Sequence, residues 1–159
     1  MTWVTRARPK VDRIACPWLI RRFIDPDAEI LYVPAEQVLD VAAHENGHSF
    51  DAPGATYSHR HRPDGTQWCT FETLVHDHQL DGNRALMELA RIVHAADIAT
   101  DVDLHPYGAA VRAIGDAGAA VETDDQSLLQ RALFVYDALY AHCQHVATDA
   151  TRPETEQPT

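Results

Sequence analysis

The sequence lacks the features that mark several large classes of protein. It has three cysteines, at positions 16, 69 and 143, and no pair with CxxC spacing. An odd number of scattered cysteines argues against a disulfide framework, and the missing CxxC pair argues against a structural zinc knuckle. No apolar run approaches the roughly 20 residues of a membrane span, and residues 1–10 contain no stretch of signal-peptide length. We therefore expect a soluble, cytoplasmic protein with no membrane partner.

Positive charge is also scarce. The formal net charge is −11, from 13 Lys and Arg against 24 Asp and Glu, which disfavours nucleic acid as a partner. The first 22 residues are an exception, because six Arg or Lys against one Asp give them +5 and leave −16 on the remainder. This basic end can bind a small anion, although pairing with acidic residues elsewhere explains it equally well.

Length and hydrophobic spacing predict one mostly helical α+β domain. At 159 residues and 45% hydrophobic composition, the chain can bury roughly two-thirds of the surface that it exposes when unfolded. It therefore needs no disulfide or structural metal to fold. We expect residues 1–147 to form a small sheet in the N-terminal half, packed on about five helices, and residues 148–159 to form a disordered tail. Strands are predicted over 2–5 and 29–33, and helical segments over 17–24, 35–45, 70–80, 84–99, 106–117 and 125–146. Residues 48–66 are expected to be irregular, with short strands near Phe50 and Tyr57.

The first helix is predicted to begin at Pro17. A start at Asp12 would place Pro17 in the helix interior, at a cost of about 3 kcal/mol. Cys16 then becomes the N-cap, where a thiol near arginine has a lowered pKa and is a candidate reactive thiol. The alternative is that Cys16 is a small buried hydrophobe beside Trp18. Free N–H groups at the same helix start, with three nearby arginines, predict an oxyanion site. Those arginines are Arg13, Arg21 and Arg22.

Histidine is abundant, with ten in the chain, and it is the commonest metal ligand. His94 and Asp97 are three residues apart on a predicted helix, so their side chains share one face, as in metal sites of helical bundles. His59 in the irregular segment and Glu72 in the next helix complete a mixed N/O set that suits Zn²⁺, Mn²⁺ or Fe²⁺. The alternative for His94 and Asp97 is a surface contact at the helix end. The alternative for Glu72 is stabilisation of the helix dipole.

No phosphate loop, dinucleotide fingerprint, HExxH helix or nucleophile–base pattern is present, so the sequence leaves open whether the protein is an enzyme. Several motifs nevertheless resemble a known family, the bacterial chromate-resistance proteins, which is the family of the C-terminal domain of the regulator ChrB. The opening stretch PKVDRIACPWLIRRFID over residues 9–25 carries most of this resemblance. Shorter matches are WVT at 3–5, LYVP at 31–34, FD at 50–51, PG at 53–54, His59, CTFE at 69–72, ARIVH at 90–94, Asp97 and YDALY at 136–140.

The resemblance spans about residues 3–143 and implies a role in chromate resistance. All the candidate metal and oxyanion residues, together with Asp12 and Cys16, lie in matched segments. Some family members carry an N-terminal DNA-binding region; because the sequence starts at the shared domain, we expect that region to be absent, and the acidity of the chain agrees with this expectation.

Three functions follow as hypotheses. The first is a metal-binding resistance or sensor domain that holds a divalent transition metal and an oxyanion such as chromate. The second is a small metal-dependent redox enzyme that handles superoxide or chromate. The third is an interaction domain without a ligand, whose partner is another protein such as a separate regulator or transporter. A homo-oligomer or a regulatory protein partner is compatible with each of these functions.

Overall fold

The computed structural model describes residues 1–150 and confirms a predominantly helical α+β domain. A three-stranded sheet contains β1 (Thr2–Arg6) at its centre, with β2 (Glu29–Val33) and β3 (His48–Ser49) on either side. Both neighbours run parallel to β1, and the register places Val4 opposite Leu31 and Ser49. The predicted strands are therefore confirmed, and Phe50 forms an isolated bridge with Tyr57.

Helices cover both faces of this sheet, which explains why β1 is buried on both sides. Trp3 and Ile30 belong to the main core, and Val4 packs instead with Val38 and Ala42 of the second helix in a smaller cluster. The elements that cover the sheet are α1 (Asp12–Leu19), which continues as a π-helical turn over Ile20–Ile24, and α2 (Val38–His44), preceded by a 3-10 turn over Ala35–Gln37.

The C-terminal half supplies the remaining helices. They are α3 (Thr70–Asp77), α4 (Arg84–Asp97), α5 (Gly108–Val121) and α6 (Asp125–Asp149), with a 3-10 turn over Ala99–Leu104 between α4 and α5. A short hairpin pairs β4 (Arg60–His61), inside the segment predicted to be irregular, with β5 (Gln67–Trp68), just after that segment. The predicted tail falls mostly on residues 151–159, outside the described range, while Thr148 and Asp149 belong to α6. None of the helices over residues 1–150 has the length and apolar character needed to cross a bilayer.

The predicted start of the first helix at Pro17 is wrong. The helix begins at Asp12, and Pro17 lies inside it. Because Pro17 has no N–H, the carbonyl of Arg13, four residues earlier, has no helical partner. The hydroxyl of Tyr32 on β2 donates a hydrogen bond to that carbonyl at 2.6 Å. A contact from another element thus offsets part of the cost that made an earlier start look unfavourable.

Tyr32→Phe is expected to destabilise the protein by about 1–2 kcal/mol, because it leaves a partly buried carbonyl without a partner while removing little apolar area. Urea unfolding followed by far-ultraviolet circular dichroism measures this loss. Tyr107→Phe is a suitable control, because the Tyr107 hydroxyl contacts only the exposed His142 ring at 3.3 Å. Equal stability of Tyr32→Phe and the wild type would show that this hydrogen bond does not support the helix around Pro17.

Candidate metal centre

Four side chains from four separate segments converge where the first turn of α1 meets the end of α4. They are Asp12, the first residue of α1, Asp51 after β3, His59 before β4, and Asp97, the last residue of α4. The His59 Nε2 atom lies 3.0 Å from Asp97 Oδ2, 3.4 Å from Asp12 Oδ2 and 3.6 Å from Asp51 Oδ1. One ligand atom each from Asp12, His59 and Asp97 fall within 4.8 Å of one another, a spacing that fits a single metal ion.

Asp12 is the most deeply buried member of this cluster. Its side chain is 1% exposed, and its Oδ2 atom accepts a 2.7 Å hydrogen bond from the backbone N–H of Thr70, at the start of α3. Its other oxygen, Oδ1, is buried and has no hydrogen-bond partner. A buried carboxylate oxygen without a partner is costly, so this atom is the clearest local sign that a cation belongs here.

The charges within the cluster are unevenly balanced. Burial, reinforced by repulsion from Asp97, raises the pKa of Asp12 to about 7. Hydrogen bonds to Asp12 and then Asp97 raise the pKa of His59 to about 10, so a proton occupies the imidazole at neutral pH. A divalent ion ligated by the same atoms would supply more positive charge than that proton, and would do so next to the unpartnered Oδ1.

Asp51 joins the cluster to two arginines. Its backbone adopts a positive φ of 47°, which turns the chain sharply after β3. The Asp51 carboxylate binds the Arg6 guanidinium at 3.1 Å and the Thr70 hydroxyl at 3.0 Å, and Arg13 Nε lies 3.8 Å away. Asp51 therefore has other charged partners, whereas Asp12 and Asp97 form no ion pair with Lys or Arg within residues 1–150. The cluster opens to solvent through His59, whose side chain is 37% exposed.

The predicted four-residue metal set is divided between two clusters. His59 and Asp97 lie in the centre just described, while Glu72 and His94 pair with each other and with Asp101 of the 3-10 turn. His94 Nδ1 lies 2.6 Å from Glu72 Oε2, and His94 Nε2 lies 2.7 Å from Asp101 Oδ2. These contacts, with the Glu72 hydrogen bond as the largest cause, raise the pKa of His94 to about 9.

The sequence did not identify Asp12, Asp51 or Asp101 as site residues. Asp12 was missed because the helix was expected to start at Pro17, which left Asp12 in a connector. Its position in the first turn of a helix, where a carboxylate suits the dipole, was the signal available. Asp51 and Asp101 carry no comparable local signal, since only the folded chain brings them to their partners.

The three candidate oxyanion arginines do not form one group. Arg22 makes a two-point ion pair with Asp137, at 2.8 and 3.0 Å, and Arg21 donates to the carbonyl of Ala28 at 3.3 Å. Arg13 is roughly 12 Å away from them along the helix axis, at 1.5 Å per residue, and only Arg13 lies beside the carboxylate cluster.

The N-cap position predicted for Cys16 is also wrong. Cys16 lies inside α1, fully buried, and burial followed by the negative charge of Asp12 raises the pKa of its thiol instead of lowering it. The physical basis proposed for a reactive thiolate is therefore absent. The alternative, a small buried hydrophobe, describes its surroundings, since it belongs to the main core with Trp18.

These features define a class, a helical α+β domain that carries a buried carboxylate–histidine cluster at the junction of two helix ends. The family model described as "ChrB, C-terminal domain" matches residues 3–143. The chain therefore belongs to the ChrB C-terminal domain family. It is also 36% identical over 140 residues to Protein ChrB of Cupriavidus metallidurans, an alignment that covers 88% of this chain and 40% of that protein. The chain thus spans less than half the length of that relative. No solved structure matches the chain.

Proposed function

We propose that this domain binds a divalent transition metal through Asp12, His59 and Asp97, and acts in chromate resistance. The observation that carries the proposal is the convergence of these three ligand atoms around a buried carboxylate whose Oδ1 has no partner. Two carboxylates and one imidazole form a mixed N/O set, which suits Mn²⁺, Fe²⁺ or Zn²⁺ better than soft Cu⁺. Membership of the ChrB C-terminal domain family supports the role in chromate resistance.

An oxyanion such as chromate is the proposed second ligand. A bound metal supplies Lewis-acid positions, and the cluster opens to solvent through His59. The Arg13 guanidinium, 13% exposed and 3.8 Å from Asp51, lies beside that opening and can form charge-assisted hydrogen bonds to a tetrahedral dianion. Arg13 also donates to the carbonyl of Arg8 at 3.2 Å, but it is the one of the three arginines that lies beside the cluster, and the geometry favours it for this role.

The metal site is tested by isothermal titration of the chelator-treated protein with Mn²⁺, Fe²⁺ and Zn²⁺, together with elemental analysis. We expect close to one tightly bound ion per chain, and an affinity reduced more than about 100-fold in Asp97→Asn and His59→Ala. Even loss of an outer partner of a ligand typically reduces metal affinity 10- to 100-fold. Asp103→Asn, which alters an exposed acidic residue outside the cluster, is the matched control and should bind as the wild type does. Unchanged affinity in both cluster variants would refute the assignment.

One observation favours a second candidate function, a small metal-dependent redox enzyme. Exposure of His59 gives an exogenous molecule access to the proposed metal, as catalytic metal sites require. Superoxide and chromate turnover by the manganese- and iron-loaded protein separates the two functions. Turnover that disappears on chelation and returns with one metal indicates the enzyme, whereas anion binding without turnover indicates the resistance or sensor domain.

A further inference from the structure

The second histidine cluster lies on the wall of a cavity of about 570 Å³. Glu72, His94 and Asp101 line one side, and the β4–β5 hairpin contributes His61 and Trp68 to the lining. The cavity is large enough for an ion with its water ligands and for a further small molecule. His94 therefore lies at the boundary between the protein interior and an accessible space.

The orientation of the His94 ring is fixed from the interior side. The Glu72 Oε2 atom accepts a 2.9 Å hydrogen bond from the Cys69 backbone N–H and a 2.6 Å hydrogen bond from His94 Nδ1. Glu72 thus holds one ring proton on Nδ1 and directs Nε2 outward, so that loss of the second proton leaves the Nε2 lone pair facing outward. Histidines that bind metals very commonly donate their other ring N–H to a carboxylate in this way.

The outward side of the ring faces the carboxylate of Asp101, whose basic partner is His94 itself. Asp101 Oδ2 lies 2.7 Å from His94 Nε2, and its side chain is 31% exposed. Within residues 1–150, neither Glu72 nor Asp101 forms an ion pair with Lys or Arg. Two carboxylates therefore share one imidazole, and the outer pair of ligand atoms faces the cavity.

We infer that His94 Nε2 and Asp101 form a second divalent metal site, with Glu72 as the orienting carboxylate and the remaining positions open to the cavity. The ion replaces the proton shared by His94 Nε2 and Asp101, and that proton is released to solvent. Two protein ligands make this site weaker than the centre at Asp12, His59 and Asp97. It uses none of those three residues, so it does not depend on the proposed function.

The probe for this site is Zn²⁺, which accepts imidazole and carboxylate ligands. We expect titration of the chelator-treated protein to show one more weakly bound equivalent of Zn²⁺ per chain, besides any tightly bound equivalent. Asp101→Asn and His94→Gln should each reduce the affinity of the weaker equivalent at least about tenfold, the lower end of the usual effect on a metal site. His76→Gln, at an exposed histidine of α3, is the control and should leave it unchanged. In the wild type, saturation of this equivalent should shift the His94 ring nitrogen resonances, assigned with His94→Gln.

The variants also separate the two sites. Asp97→Asn should lose the tight equivalent and retain the weaker one, and Asp101→Asn should do the reverse. Retention of the weaker equivalent by both Asp101→Asn and His94→Gln would overturn the inference and place that ion on other histidines. A titration with no second equivalent would overturn it as well. If the wild type binds the weaker equivalent of Zn²⁺ but shows no tight one, that result would count against the proposed function and leave this inference standing.

Discussion

Asp12→Asn is expected to make the metal-free protein at least as stable as the wild type, while abolishing the stabilisation that metal gives. In the metal-free state, the ionised carboxylate is buried near Asp97 and Asp51, and its folded-state pKa of about 7 lies above the ordinary value of 3.8. Ionisation therefore costs folding stability as the pH rises from about 4 to 7, and the full cost is present at pH 8. The amide keeps an oxygen for the Thr70 N–H and removes this charge.

The expected effect of metal has the opposite sign in the wild type. An ion that binds only the folded chain stabilises it by about 2.7 kcal/mol at a free concentration of 100 times Kd. Urea unfolding at pH 8, with chelator and then with saturating metal, measures both effects on each protein. We expect the wild type to gain this amount and Asp12→Asn to gain almost none.

The exposed-site variant Asp103→Asn is again the control, and it should follow the wild type with and without metal. If Asp12→Asn were much less stable than the wild type in chelator, Asp12 would be a structural anion that needs no metal. If it gained as much from metal as the wild type, the ion would bind elsewhere.

Gly108→Ala is expected to destabilise the protein by about 1–3 kcal/mol, the usual cost of overpacking. A Cβ at Gly108, the first residue of α5, would lie 2.5 Å from the carbonyl oxygen of Val102 and 2.9 Å from the Cβ of Ala95. The first of these contacts is with backbone, which cannot move aside by a change of rotamer. Helix α5 must therefore shift away from α4 and the 3-10 turn.

This shift should also reach the metal ligands. Ala95 lies between His94 and Asp97 on α4, and Val102 follows Asp101, so Gly108→Ala should lower metal affinity as well as stability. Gly82→Ala is the control, because nothing lies within 4 Å of a Cβ built there. Urea unfolding and metal titration of both variants provide the test. Equal stability of Gly108→Ala and Gly82→Ala would show that the α4–α5 contact yields easily and does not fix the ligands.

Local spacing was sufficient to predict parts of the fold and of the site. Apolar periodicity identified α4, whose predicted start at Arg84 is confirmed, and the strand over 29–33 matches β2. The i, i+3 spacing of His94 and Asp97 placed both on one helix face. It could not show that each contacts a different cluster, because Asp12, His59 and Asp101 reach them from other segments.

The start of α1 illustrates a second limit. Proline in a helix interior is normally unfavourable, so starting the helix at Pro17 was the reasonable local choice. The compensating donor is the Tyr32 hydroxyl, which lies on another element and cannot be inferred from residues 9–25. This error also removed Asp12 from the candidate ligands and placed Cys16 at a helix end.

The most direct test of the central claim is a crystal structure of the manganese-loaded protein, with anomalous diffraction measured on both sides of the metal absorption edge. We predict one strong anomalous peak bounded by Asp12, His59 and Asp97, with the Asp12 Oδ1 atom as a ligand. A fully loaded protein whose peaks lie only on surface histidines such as His142 and His145, with none at the cluster, would contradict it.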